Sequence, residues 1–285
     1  MSLRRSLTVA APLTLSRRTF ALLPFALSAQ AARPGVIWVW FEGDLPAGLR
    51  GESIVFPRCY VADARPDMAR RASETGKFAH AGAEGDPSLA SILKQAGISY
   101  REVTLSPGAN AVAILEEARN SIVVFTREGI LSRQIAEGNT AEKSIRVPLA
   151  IVYRGVLKPR AADDILVSQV DLVPTLAALC GVTDLPEVQG RNIAPLLRGE
   201  AGEAPDSVFV EGSTWRVVIR GYQKLVTDLT GAPEHLYNIA ADPDELNDLA
   251  RDPASRLTLD GLAALAQLWM RRLGDGLDPS GLKRR

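Results

Sequence analysis

Three uninterrupted apolar runs frame this chain: Val36 to Phe41 (Val-Ile-Trp-Val-Trp-Phe), Ser121 to Phe125 (Ser-Ile-Val-Val-Phe) and Pro148 to Tyr153 (Pro-Leu-Ala-Ile-Val-Tyr). A strand with one wet face alternates apolar and polar residues. A run without alternation needs cover on both faces, as in the interior of an α/β sheet. Helical patterns that could give that cover lie between and after the runs. Asp86 predicts an N-cap with Pro87 at the first helical position, Leu89, Ile92 and Leu93 on one face, and Gly97 past the end. A second helix is expected over Ala109 to Arg119, with Val112, Leu115 and Ala118 inward. A third is expected over Asp171 to Cys180, capped by Asp171, with Pro174 in its first turn and stopped by Gly181. Strands alternating with helices predict a mostly parallel sheet flanked by helices.

The character changes after Gly199 to Asp206, a polar stretch that reads as a boundary. Ser207 to Val210, Thr214 to Arg220, Tyr222 to Asp228 and His235 to Asn238 read as short strands of a small antiparallel sheet. A last amphipathic helix is expected from Asp252-Pro253 to about Gly274, with Leu262, Leu265, Leu268 and Trp269 on one side. With 285 residues, 46% of them hydrophobic, the chain can bury one substantial core and a smaller lobe. The organisation read from sequence is an α/β domain over residues 32–205 and a C-terminal α+β subdomain over 206–285.

Residues 1–31 read as an export signal. Ser16-Arg17-Arg18-Thr19-Phe20 precedes an apolar run from Ala21 to Leu27 and the small-residue site Ala29-Gln30-Ala31, the pattern of a twin-arginine signal. That run is far short of the ~20 residues a spanning helix needs. The expected location is therefore periplasmic or extracellular, with no membrane span. Without these residues the chain holds 29 basic and 33 acidic residues, a balance that does not suggest a nucleic-acid partner. Its two cysteines, Cys59 and Cys180, read as buried apolar thiols, with a disulfide permitted by the compartment and not implied by spacing.

Several segments together resemble the sulfatase branch of the alkaline phosphatase superfamily. They are Ser144-Ile145-Arg146-Val147-Pro148-Leu149, Asp171-Leu172-Val173-Pro174-Thr175-Leu176, Gly181-Val182 and Gln189-Gly190-Arg191. Lys224-Leu225, Leu236-Tyr237-Asn238, Asp242-Pro243-Asp244-Glu245 and Asn247-Asp248-Leu249 follow in the same order. The similarity implies a sulfatase-like α/β lobe joined to a small C-terminal sheet with a packing helix. It also implies a sulfuric ester hydrolase whose cysteine, oxidised to formylglycine, lies in Cys-x-Pro-x-Arg ahead of a Thr-Gly. It implies a calcium ion held by paired aspartates after the first strand and a further pair after a later one.

The chain departs from that pattern at each chemical position. Counted back from Thr75-Gly76, Pro66 stands in the nucleophile slot and Met68 in the proline slot, while Arg70 remains as the arginine. A proline ring has no atom that can attack sulfur. Val61 and Asp63 stand where Cys59 would need its own motif partners. The first aspartate pair is replaced by Glu42-Gly43, with Asp44 one residue on, and the later pair by Arg127-Glu128. Calcium takes six or more oxygens, and scattered carboxylates beside an arginine would hold it poorly. One compensation is open: the Arg127 guanidinium could take the ion's place and pair with Glu42. Only about twenty residues separate Tyr100 from Ser121, where sulfatases carry a long segment with an active-site lysine and histidine. His80 and His235 read as structural.

Three functions remain on this reading. The leading one is a sulfatase-like protein that does not hydrolyse sulfate esters and has no cofactor, either a decaying gene product or a scaffold that binds a sulfated or other anionic ligand or a partner, with Arg70 the retained residue suited to an anion. The second is a rearranged ester hydrolase using Glu42, Asp44, Glu128 and Arg70 with a borrowed metal. The third is an interaction protein whose shortened lobe leaves apolar surface for a second chain.

Overall fold

The computed structural model describes residues 33–127 and 140–275. Its larger sheet places strands β1 (Gly35–Phe41), β2 (Ile54–Tyr60), β3 (Tyr100–Leu105), β4 (Ser121–Thr126), β5 (Arg146–Val152) and β6 (Arg160–Ala161) in the order β3-β1-β4-β5-β2-β6. The short strand β7 (Val167–Ser168) also pairs with β2. Only β5 runs against its neighbours, β4 and β2; every other pairing in the sheet is parallel.

The helices are α1 (Pro66–Thr75), α2 (Leu89–Gln95), α3 (Ala111–Glu117), α4 (Glu142–Ile145), α5 (Leu172–Leu179), α6 (Ala194–Arg198) and α7 (Arg256–Leu273). The unbroken apolar runs are explained by cover on both sides. Trp38, Trp40, Ile122, Val124, Leu149 and Ile151 face a core that includes Ala69 of α1, Leu89, Ile92 and Leu93 of α2, and Leu172, Val173 and Leu176 of α5. The intervening Ile37, Val39, Val123, Phe125 and Ala150 face Leu49 and the Ala111, Ile114 and Leu115 side of α3. The period-two alternation thus divides the strands between two cores.

The second sheet is an antiparallel meander, β11-β10-β9-β8, of β8 (Ser207–Glu211), β9 (Trp215–Arg220), β10 (Gln223–Asp228) and β11 (Pro233–Asn238). One face packs Phe209, Val218, Leu225 and Leu236 against Leu259, Leu262, Ala266 and Met270 of α7. The other turns Val208, Val210, Val217, Ile219 and Val226 into the same core as α1, α2 and α5. The described residues accordingly form one compact unit.

Some boundaries differ from expectation, each for a local reason. Ser88, not Asp86, caps α2, because Asp86 instead accepts hydrogen bonds from the Ala83 N–H (2.6 Å) and the Lys77 ammonium (2.9 Å). Asp171 closes a 3-10 turn, Gln169–Asp171, ahead of α5 and accepts from the Ser168 N–H. Pro253–Ser255 forms another such turn before α7, and Leu268 faces outward because the buried stripe runs through Leu259, Leu262, Ala266 and Met270. The polar breaks in β2 at Pro57 and Arg58 coincide with a bulge between Phe56 and Cys59. The edge strand β3 exposes Arg101 and Glu102.

Candidate functional site

Parallel pairing of β1 and β4 puts Trp40 opposite Thr126, so the residues after both strands leave the sheet at one rim. The antiparallel β5 brings its first residue, Arg146, to that rim as well. Arg127 is half-buried there and donates to the Arg146 carbonyl at 3.2 Å, while its own carbonyl accepts from the Gln169 amide at 2.9 Å. Burial pulls the Arg127 guanidinium below its usual range; Asp44 opposes that shift and Arg146 adds to it. The compensation expected between Arg127 and Glu42 is absent from the ion pairs among the described residues. Asp44 is the carboxylate that acts on Arg127, and Glu42 is exposed. Glu128 lies outside the described residues.

This donor set suits calcium badly. Among the described residues, the side-chain oxygens near the rim include the carboxylates of Glu42 and Asp44 and two buried atoms without hydrogen-bond partners, Thr126 Oγ1 and Gln169 Oε1. A guanidinium, with its Nε also buried and unpartnered, stands among them. A dication needs six to eight oxygens and is repelled by that charge.

Helix α1 starts at Pro66, with Arg65 as its N-cap in extended conformation. Proline is favoured at this first position because its missing N–H would have no helical partner. The Arg65 backbone N–H and side chain all bond Asp63, at 2.6 to 2.9 Å. From Val61 to Ala72 no serine, threonine or cysteine occurs. Cys59 is fully buried in β2, and burial pushes its thiol far above the usual range. Cys180, at the end of α5, is pushed up to about 12 by burial; both cysteines are free. A thiol so raised is not a thiolate near neutral pH.

Arg70 lies one turn into α1 and is committed to the protein. Its guanidinium meets Glu74 at 2.8 Å and Glu102 at 2.7 Å and stacks over the Trp40 ring at 4.8 Å. Glu102 is held in addition by the Tyr100 hydroxyl at 2.8 Å.

Two buried polar clusters escaped the sequence reading. In the first, His80 Nδ1 meets the Glu211 carboxylate and Nε2 meets the Leu273 carbonyl at 2.9 Å, while Arg216 bonds Asp275 twice. Burial alone would lower the His80 pKa, but the hydrogen bond and charge of Glu211 raise it. His80, Glu211 and Asp275 bring ligand atoms within 4.8 Å of one another, the one such trio among the described residues. Arg216 and a protonated His80 already neutralise those two carboxylates. In the second cluster, Lys224 is wholly buried at 2.6 Å from Glu245, and Glu142 accepts from the Tyr60 hydroxyl at 2.9 Å. Glu245 adopts φ 57 and also accepts from the Glu142 N–H. Charged residues inside apolar strand patterns, as at Arg216 and Lys224, were the available signal. His235 sits at the surface, 2.8 Å from Asp248.

The family model for the C-terminal part of N-sulphoglucosamine sulphohydrolase matches residues 139–267. The chain is 36% identical over 92 residues to an endo-4-O-sulfatase of Bacteroides thetaiotaomicron, a match covering 30% of this chain and 18% of that protein. It is 30% identical over 153 residues to a delta 4,5-hexuronate-2-O-sulfatase of the same organism, covering 47% and 31%. The chain thus spans less than a third of the length of these curated relatives. Among solved structures, one in complex with its substrate D-glucosamine-2-N,6-O-disulfate superposes with TM-score 0.70 at 13% identity, covering 85% of this chain and 98% of that one. A phosphonate monoester hydrolase of Agrobacterium radiobacter gives TM-score 0.70 at 12% identity, covering 89% and 100%. The shared fold therefore accommodates more than one ester chemistry.

Proposed function

We propose, on the premise that this chain belongs to the sulfatase family, that it holds a sulfated or other anionic ligand without hydrolysing it. The observation that carries this reading is Pro66 as the first residue of α1, in a stretch without any hydroxyl or thiol from Val61 to Ala72. Sulfate-ester hydrolysis through a covalent intermediate needs an attacking atom and a positive centre that offsets charge developing on the sulfate oxygens. At the sheet rim Arg127 stands where the family pattern has a calcium ligand, so a resident calcium is not part of the reading.

Two features support it further. Arg70, which the rearranged-hydrolase alternative would use and which the sequence offered as the residue suited to an anion, is engaged by Glu74 and Glu102, so the ligand is met by other cations. The only thiols are buried and held protonated. Export by a twin-arginine signal remains part of the proposal; residues 1–31 lie outside those described. Among the described residues no helix is long and apolar enough to cross a membrane.

The test is a turnover assay of the purified protein on aryl sulfate and aryl phosphate esters with added calcium, with elemental analysis on the same sample. The expected result is no turnover above the background of a Glu42→Ala/Asp44→Ala variant, and substoichiometric metal. Turnover lost in that variant, or one bound divalent ion per chain, would overturn the reading.

A further inference from the structure

Beside the rim, the face of the larger sheet that α3 leaves uncovered opens into a cleft of about 830 Å³. Its floor is the apolar side of β2 and β5, with Val55, Pro57 and Pro148. Its walls carry five cations, Arg50, Arg127, Lys143, Arg146 and Arg160, against two carboxylates, Asp44 and Asp163. They come from four separate places: the loop after β1, the end of β4, the α4–β5 junction and β6.

Neighbouring acids absorb only part of this charge. Arg146 has Glu142 at 3.3 Å and Arg160 has Asp164 at 3.6 Å, while Arg50, Arg127 and Lys143 make no ion pair among the described residues. Arg146 is close enough to Arg127 to disfavour the charge on its guanidinium. Like charges crowded against a low-dielectric wall cost energy unless something neutralises them, and the field they make is focused inside a concave site. The buried, unpartnered Nε of Arg127 is a donor still lacking an acceptor.

We propose that this cleft binds a multiply charged oligomeric anion, one bearing several sulfate, carboxylate or phosphate groups along a short chain. A single small anion would answer one or two of the cations; spacing them over four elements and an apolar floor suits a ligand with several anionic groups on a partly apolar backbone. The volume lies within the range of small-molecule sites. The inference deepens the non-hydrolytic reading above by naming where the ligand sits and how many charges it carries.

The test uses the full chain and two fluorescent probes, a sulfated octasaccharide and an inorganic polyphosphate of similar length, with a neutral oligosaccharide as control. Anisotropy titration should give binding to at least one anionic probe and none to the neutral one. Lys143→Glu/Arg160→Glu should weaken it at least about tenfold, whereas Arg256→Glu, on the exposed face of α7, should leave it unchanged. Raising salt towards 1 M, where the Debye length shrinks to about 3 Å, should weaken it as well. Arg50→Glu gives a second variant if the double one does not fold. Preference for one probe identifies the source of the charge. No binding to either probe at low salt, or equal loss in Arg256→Glu, would overturn the cleft. Mass spectrometry of the recovered saccharide keeps the two readings apart, since a bound probe returned desulfated would sink the non-hydrolytic reading and leave the cleft standing.

Discussion

Asp171 and Glu42 are both carboxylates beside the larger sheet, and the fold treats them in opposite ways. Asp171 is 1% exposed and accepts from the Ser168 N–H (2.9 Å), the Arg191 N–H (2.7 Å) and two nitrogens of the Arg191 guanidinium. Glu42 is exposed at the rim and has no ion pair among the described residues. Around Asp171 the residues that carry the family likeness interlock. Gly190 lies so close beneath the β7–α5 turn that a Cβ there would stand 1.9 Å from the Val170 carbonyl oxygen. Around Glu42 the positions that depart from the likeness are loosely held or committed elsewhere. The likeness is therefore strongest where residues build the scaffold and weakest where they would perform chemistry, and such a likeness speaks first about shape.

The comparison can be broken by substitution. Asp171→Ala should have the largest effect, since it strands a partly buried guanidinium and several N–H groups; a loss of about 3–5 kcal/mol in urea unfolding is expected. Gly190→Ala should follow, with a loss of about 2–3 kcal/mol from backbone displacement, measured the same way. A loss under about 0.5 kcal/mol for either would show that the scaffold is looser than its contacts imply.

Next comes His80. Its pKa is raised in the folded protein, so its contribution to stability is complete below the unfolded value near 6.5 and fades as pH rises through the folded value. Melting temperature should fall over that window, and His80→Gln should flatten the dependence; an unchanged slope would remove the imidazolium from the Glu211 cluster. Smallest of all, Arg70→Ala should cost no more than about 1 kcal/mol in thermal unfolding, because its ion pairs with Glu74 and Glu102 are solvent-screened. A cost several times larger would make the rim as rigid as the Asp171 region.

Much of this architecture is legible in the sequence because it depends on local periodicity. β1, β4 and β5 declare themselves by apolar runs, and the meander from Ser207 to Asn238 by short strands between turns. β2 hides because Pro57 and Arg58 interrupt its pattern, and β3 because an edge strand can afford Arg101 and Glu102. The helix start at Pro66 was not read from the sequence, where Pro66 stood only as a nucleophile-slot residue, although proline's fixed φ suits that position. The clusters of Glu211 with His80 and of Lys224 with Glu245 and Glu142 could not be read. His80 lies 131 residues from Glu211 and Glu142 lies 103 from Glu245, so only tertiary packing brings them together; Lys224 and Glu245, 21 residues apart, meet within the C-terminal region. Arg127 was visible as a departure, but the carboxylate that acts on it was not, since that carboxylate is Asp44 rather than Glu42.

The two faces of the small sheet carry a consequence for how the polypeptide behaves when cut. Its α7 face could survive in a severed fragment, but its opposite face supplies Val208, Val217 and Ile219 to the same interior as the first helices. A single protease nick within residues 199–206 should therefore leave two pieces that co-elute as one particle and separate only in denaturant. Produced separately, each piece should be sticky until it meets the other.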